Sequence, residues 1–252
     1  MPRLAVIILT KNEEANIEGA MESAAFADEI VIIDSGSTDR TQELAEKHGA
    51  KFVSHPMDDE GFAGQRNFAL NQTKAEWVFY LDADERITSS AVNDICEAIN
   101  GDKAAYRIKR MNVVFGKLMK YGAHRPDWCI RLFPRESVIW KGVVHEKPQF
   151  NCLERSLENP LHHHTYNNWS KYFAKLAQYT DMMAVKMYKQ GKRGHLSDIT
   201  LRPLYAFFRA YILQRGFLDG ELGLVFSLLH GYYTFIKYIK LRYNKWDEGV
   251  IK

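Results

Sequence analysis

Residues 76–85 read Glu-Trp-Val-Phe-Tyr-Leu-Asp-Ala-Asp-Glu, an apolar run that ends abruptly in acids. A continuous apolar run of this length predicts a strand buried on both faces, the kind found in parallel sheets. At its end, Asp82 and Asp84 are alternate residues of an extended segment and point the same way. Two carboxylates so placed can meet one hard cation such as magnesium or manganese. A solvated acidic turn is the bland alternative; the position directly after a buried strand favours the functional one.

Working outward, the same form recurs. Residues 3–9 (RLAVIIL) run into Thr10-Lys11-Asn12-Glu13, and Glu29–Asp34 (EIVIID) runs into Ser35-Gly36-Ser37-Thr38. Helices are predicted over 17–25, over 39–47 with Asp39 as N-cap and Gln42 at the capping-box position, over 62–71, and from Ser89 or Ser90 to 99. Lys51–Ser54 is a further short strand. This alternation predicts an α/β fold, a mostly parallel sheet with helices on both faces. Such sheets bind ligands beyond the carboxyl ends of their strands, where all three polar clusters lie. Asp34, at the end of an apolar strand, can accept from a base N–H or a ribose hydroxyl. There is no GxGxxG and no GxxxxGK[ST], so a dinucleotide or P-loop reading lacks its phosphate cradle.

From 104 to 150 the pattern changes to shorter strands (105–111, 130–133, 138–144) broken by Gly116, Gly122, Pro126 and Pro134, which suggests antiparallel additions at the sheet edge. Helical spacing returns over 169–190, 203–213 and 221–242. Two domains are expected: 1–166, catalytic, and 167–252, a helical, basic and aromatic section. Residues 201–252 carry net +4 against −1 for the first 200, and 12 of the 32 aromatics fall between Tyr205 and Trp246.

The 252 residues are 46% hydrophobic and 26% charged, a globular composition that excludes a disordered tail or a disulfide scaffold. The net charge of +3 is too balanced for a nucleic-acid binder. Cys96, Cys129 and Cys152 form no CxxC and no zinc spacing, and read as reduced cytosolic thiols. No signal peptide is expected, because Lys11, Glu13 and Glu14 directly follow the first apolar run. No segment has the roughly 20 apolar residues needed to span a bilayer. A cytoplasmic protein, soluble or peripheral on the inner face of the cell membrane, is expected.

Residues 10–14 (TKNEE), 34–39 (DSGSTD), 64–67 (GQRN) and 81–85 (LDADE) resemble, in order and interval, the inverting family 2 glycosyltransferases. Arg131-Leu132-Phe133, Gly142-x-x-His145-Glu146, His163-x-Thr165-Tyr166 and Arg215-Gly216-Phe217-x-Asp219-Gly220 are similar to motifs of the bacterial lipopolysaccharide-core β-1,4-glucosyltransferase branch. The resemblance covers nearly the whole chain. It implies a GT-A fold and a UDP-sugar donor. It also implies a divalent metal cofactor and transfer of a hexose, glucose by the branch, to a cell-envelope glycan or lipid acceptor. By analogy Asp34 contacts uracil, and Thr10, Asn12, Glu13, Ser35 and Ser37 line the nucleotide pocket. Asp82 sits near ribose and metal, Arg66 faces the diphosphate, and Asp84 ligates the metal. Glu146 stands where the family carries its base, with Asp127 and Glu85 in reserve. Each has a plainer reading, Arg66 as a surface arginine and Glu146 as an ion-pair partner.

His162-His163-His164 cannot all face one ion. On an extended segment His163 points away from the other two, and the His-x-Thr-Tyr register implied by the resemblance selects it as metal ligand. In the C-terminal section, Tyr232, Tyr233, Phe235, Tyr238, Tyr243 and Trp246 with Lys237, Lys240, Arg242 and Lys245 suit an interfacial helix on anionic lipid. Packing on the catalytic body or another subunit is the alternative. Two rival functions remain: transfer to a polyprenyl phosphate, which needs no base, and a non-catalytic sugar-nucleotide-binding module.

Overall fold

The computed structural model describes residues 1–57, 59, 61–142 and 146–244. His145 of the expected motif and Lys245, Trp246, Asp247, Glu248 and Lys252 of the basic tail lie outside them, as do the last two residues of the strand expected over 138–144. The chain divides into two units, one formed by residues up to 111 and from 127 to 164, the other by 112–126 and those from 165 onward.

The first unit is built on β1 (Leu4–Thr10), α1 (Ile17–Ser23), β2 (Glu29–Asp34), α2 (Thr41–Lys47), β3 (Lys51–Ser54), α3 (Gly61–Leu70), β4 (Trp77–Asp82), β5 (Glu85–Ile87) and α4 (Ser89–Ala98). β6 (Ala104–Val114), β7 (Lys117–Leu118), β8 (Asp127–Pro134), β9 (Val138–Lys141), β10 (Lys147–Phe150), β11 (Leu153–Ser156) and β12 (Leu161–Tyr166) follow. Residues 112–114 of β6, all of β7 and the last two residues of β12 belong to the second unit.

The sheet runs β3-β2-β1-β4-β8-β6-β12-β5, with β7 and β11 on β6 and β9–β10 a separate hairpin. The first four strands are parallel, and β8 is antiparallel to both β4 and β6. Residues 5–8 of β1 are fully buried, as expected of a strand covered on both faces. Leu4, Val6 and Ile8 pack with Ile17 and Met21 of α1, Leu44 of α2 and Ile95 of α4. Ile7 packs on the other face with Val31, Tyr80, Ala63 and Ala69 of α3, and Trp140. Burying each such side chain stabilises the fold by about 1.5–3 kcal/mol. The register pairs Thr10 with Asp34 and Leu9 with Asp82, so β2, β1 and β4 end flush.

The cap expected for α2 is corrected, whereas α4 begins at Ser89 as expected. Asp39 accepts from Thr41 N–H at 3.0 Å, but Arg40 is the N-cap, and Gln42 reaches Glu46 instead of closing a capping box. Thr88 caps α4 by accepting from Ala91 N–H. The sheet also contains β5, β7, β11 and β12, strands too short or too polar to announce themselves.

The second unit holds α5 (Trp169–Lys189), α6 (Leu196–Phe208) and α7 (Gly220–Tyr243). α6 starts seven residues before the expected start at Pro203. Proline removes only one helical donor, and packing overrides it: Gly231 of α7 lies against the Pro203 carbonyl and Phe207. α6 continues as a π turn (Arg209–Leu213), with Gln214 N–H donating to Arg209 C=O at 2.8 Å, and a 3-10 turn (Gly216–Asp219) leads into α7. Buried Asp219 accepts from Lys120 and Tyr121 N–H, which ties 112–126 to this unit. Among the described residues no helix is long and apolar enough to cross a membrane.

A methyl group on Gly223 would lie 1.9 Å from the Gly216 carbonyl oxygen, whereas one on Gly101 meets Ala98 O at 3.5 Å. Gly223→Ala is expected to destabilise the protein by about 2–4 kcal/mol and Gly101→Ala to change it by less than about 1 kcal/mol. Urea denaturation followed by circular dichroism distinguishes them; equal midpoints would contradict the close approach.

Candidate functional site

The flush ends of β1 and β2 create one half of the rim. Thr10 and Ser37 hydroxyls donate to Asp34 Oδ1 at 2.9 and 2.5 Å, and the Gly36 and Ser37 N–H groups donate to Oδ2 at 2.9 and 2.7 Å. All four acceptor positions of this buried carboxylate are therefore filled. Asn12, in the left-handed region at φ +57°, accepts from Thr38 N–H at 2.7 Å and gives its own N–H to Ser37 Oγ. Ser35 N–H donates to the Thr10 carbonyl, Glu13 N–H to Thr41 Oγ1, and Glu14 N–H to Asp39. Glu13 Oε2 accepts from the Asn16 side chain at 2.8 Å. Two loops are thus stitched into one ledge.

The other half lies beyond β4. Asp82 and Glu85 share Arg131, whose Nη2 is 2.5 Å from Asp82 Oδ2 and 2.6 Å from Glu85 Oε1. Glu85 also accepts from Asp82 N–H and pairs with Arg110, which holds Asp127 through two hydrogen bonds of 3.0 and 2.8 Å. Burial pushes the Glu85 carboxyl up, Arg131 opposes it, and the Asp82 charge adds to the rise. Burial would also raise Asp82, but Arg131 and Arg66 outweigh it and hold this carboxyl well below the usual range.

Arg66, from α3, donates to Asp82 Oδ1 at 3.3 Å, and its Nε lies 3.7 Å from Glu146 Oε1. Its guanidinium stands over Trp140 at 4.6 Å and Tyr80 at 5.3 Å. Among the described residues Arg66 Nε, like Arg131 Nε and Trp140 Nε1, is buried without a hydrogen-bond partner.

The turn after β4 leads into β5, whose antiparallel pairing with β12 sets His163 opposite Glu85. His163 Nε2 lies 3.1 Å from Asp84 Oδ2, and His164 N–H donates to the Asp84 carbonyl. Adjacent ligands on an octahedral ion with bonds of about 2.1 Å are about 3 Å apart, so this pair of donors fits neighbouring positions on one divalent cation. Among the described residues no group of three or more His, Cys, Asp or Glu side chains could hold a metal, so further ligands would come from substrate and water. Burial lowers the pKa of His162 and of His164.

Of the expected residues, Thr10, Asn12, Glu13, Ser35 and Ser37 share the ledge with Asp34. Asp82, Arg66 and Glu146 form a second string, and Asp84 with His163 a third. Of the reserve bases, Glu85 is sealed from solvent between Arg131 and Arg110, and Asp127 is occupied by Arg110. Sequence reasoning missed the two arginines. Arg131 stood in a quoted motif, but nothing local says that a strand arginine will face two acids 46 and 49 residues earlier.

The sequence model for "Glycosyl transferase family 2" matches residues 5–158. The chain belongs to this family, is a glycosyltransferase, and its α/β body is of the GT-A type. It is 30% identical over 262 residues to an uncharacterised glycosyltransferase of Rickettsia bellii, covering 95% of this chain and 86% of that one. It is 28% identical over 247 residues to the lipopolysaccharide core biosynthesis glycosyltransferase LpsC of Rhizobium meliloti, covering 90% and 89%. Among solved structures, glucosyl-3-phosphoglycerate synthase of Mycobacterium tuberculosis, crystallised with Mn2+, UDP and glucosyl-3-phosphoglycerate, aligns with TM-score 0.46 and 18% identity over 75% of this chain and 80% of that one.

Arg131→Met is expected to cost about 3–5 kcal/mol at neutral pH, because it removes the cation shared by two neighbouring carboxylates and leaves Asp82 only the longer contact to Arg66 and Glu85 only that to Arg110. Glu85, already raised by burial, rises further in the variant. A folded-state pKa above the unfolded one means that stability returns as pH falls and Glu85 takes up a proton. Asp82, held low in the wild type, loses its contribution only at still lower pH. The gap between the two proteins in urea denaturation should narrow as pH falls from neutral; a gap independent of pH would exclude the shared-arginine account.

Proposed function

We propose that this glycosyltransferase transfers a hexose, glucose foremost, with inversion from a UDP-sugar to a cell-envelope acceptor of the lipopolysaccharide-core type. The observation that carries the reading is Arg66: a buried guanidinium on two aromatic faces, between Asp82 and Glu146, with Nε unfilled. Leaving a buried donor unmade is costly, and the planar fork of arginine suits diphosphate oxygens. The 28% identity to LpsC along about nine-tenths of both chains supports the acceptor class.

In this reading uracil binds against Asp34. Its N–H replaces the Ser37 hydroxyl, which unlike the two backbone donors can rotate away and unlike the buried Thr10 hydroxyl is partly exposed. Thr10, Asn12, Glu13 and Ser35 line the nucleotide, and Asp82 faces the ribose. Asp84 and His163 would hold a divalent cation, which supplies positive charge against the departing diphosphate. Arg66 steadies the same diphosphate. Glu146 takes the proton from the acceptor hydroxyl as the oxygen attacks the anomeric carbon, and one in-line displacement inverts it. The enzyme works in the cytoplasm, meeting its acceptor at the inner face of the cell membrane.

Release of UDP from UDP-glucose on envelope acceptors, with and without EDTA, tests the donor and the cation together. Glu146→Gln should lower kcat by about 100–10,000-fold, the usual worth of a general base, with little change in UDP-glucose affinity. Asp84→Ala should abolish EDTA-sensitive transfer. Full transfer by Glu146→Gln would remove the base and favour an acceptor that is already an anion, such as a polyprenyl phosphate. Binding of UDP-glucose without turnover on any acceptor would favour a non-catalytic module.

A further inference from the structure

Residues 199–218 span most of α6, the π turn and the turn before α7. Their inner face is ordinary: Ile199, Ala206 and Ala210 are buried. Their outer face is not. Leu201, Leu204, Tyr205, Phe208 and Ile212 recur at helical spacing, form one stripe, and are 43% to 67% exposed. Past the π turn, Gly216 packs against the Ala210 carbonyl and Asp219 is drawn inward by Lys120 and Tyr121, which leaves Phe217 and Leu218 outside. On α7, Leu224, Leu228, Tyr232 and Phe235 expose a second stripe beside Gly231, the position that packs on α6. Eight large apolar side chains between 199 and 218 are thus more than 40% exposed, Leu213 at 58% among them, a concentration of the kind that marks interaction surfaces and not the scattered single residues of an ordinary exterior.

The charges on this segment have one sign. Between 199 and 218 the charged residues are Arg202, Arg209 and Arg215, all exposed, with no acid among them. Arg202 and Arg209 are seven residues apart and line one edge of the stripe. Of the acids that bracket the segment, Asp219 is buried, while Asp198 pairs with Arg202 at 2.5 Å, so the charge offered to a bilayer is chiefly that of Arg209 and Arg215; Glu221, at the start of α7, is exposed. The aromatic-basic face expected farther along α7 is partly consumed by packing. Tyr238 is buried, Lys240 bonds Ala177 O and Thr180 Oγ1 and pairs with Asp181, and Arg242 bonds Gly194 O.

We propose that the outer face of α6, with the Phe217–Leu218 turn leading, lies in the headgroup layer of an anionic bilayer. An apolar stripe edged by arginine and with no acid of its own matches such a surface in both its oily and its charged parts. A bilayer also accepts this face without requiring a matching shape. The segment lies on the membrane and does not cross it: its arginines interrupt the apolar run. The inference does not depend on which sugar is moved.

The test is co-sedimentation of the full chain with vesicles of phosphatidylcholine alone or mixed equally with phosphatidylglycerol, without donor or acceptor, so that failure leaves the transfer chemistry unjudged. Wild type should pellet with the anionic vesicles and be released by salt. Leu204→Gln/Phe208→Gln should weaken partitioning by at least about tenfold. Arg209→Gln/Arg215→Gln should weaken it and flatten its salt dependence. Unchanged thermal melting and sedimentation velocity in both variants exclude misfolding. Equal pelleting by wild type and both variants, or no pelleting by wild type, overturns the proposal. So does a concentration-dependent dimer of wild type that Leu204→Gln/Phe208→Gln dissociates, since a second copy would then cover the face.

Discussion

The shared grip of Arg131 on Asp82 and Glu85 is the interaction on which the acidic end of β4 depends. Two carboxylates three residues apart at the end of a buried strand repel each other, and neither is free to reach bulk water fully. A parallel sheet alone offers them nothing positive, since its strand ends gather backbone and acids on the same side. The antiparallel strands resolve this. β8 pairs with β4 up to Leu132, and the next residue along β8 is Arg131, at the point where the two strands part. β6 brings Arg110 to Glu85 and to Asp127. The added strands are therefore part of the site's electrostatics as well as its frame.

The ledge built from residues 10–14 and 34–41 is complete without a guest. Asp34 has its acceptors filled, Asn12 is held in an uncommon backbone conformation from both sides, and Asp39 and Thr41 anchor the first turn of α2. On the proposed reading, order of this kind would lower the entropy lost when the nucleotide binds, because the loops need not be fixed at that moment. Arg66 works in the opposite sense. It is stacked on two aromatic rings and only partly satisfied, so in the proposed reading it is a buried donor that an incoming anion would complete.

Much of this could be read from residue patterns, and the reasons are local. EWVFYL, EIVIID and RLAVIIL name buried parallel strands because each is apolar without interruption, and the polar residues after them mark the ligand edge. What escaped was what depends on distant pairing. β5 and β12 are short and polar, and they exist because each satisfies the other's backbone. Pro203 read as a helix start, yet α6 passes through it because Gly231 allows α7 close. Asp39 read as an N-cap by type, while the backbone placed the cap one residue later. Arg131 and Arg110 acquire meaning only when β8 and β6 are laid beside β4. The Arg215–Gly220 motif, quoted as a branch signature, anchors Asp219 and sets the angle of the turn it belongs to.

The π turn at Arg209–Leu213 is in effect one residue too many in a helix. Such a bulge absorbs its extra residue locally, so the chain that follows keeps its direction and Phe217 and Leu218 stay in line with Leu204 and Phe208. In the regular turns of α6 the same extra residue would swing everything that follows by about 100° about the helix axis. Changes of length in this segment are therefore accommodated best at the bulge itself, where losing one residue restores an α-turn, and worst in the regular turns before it.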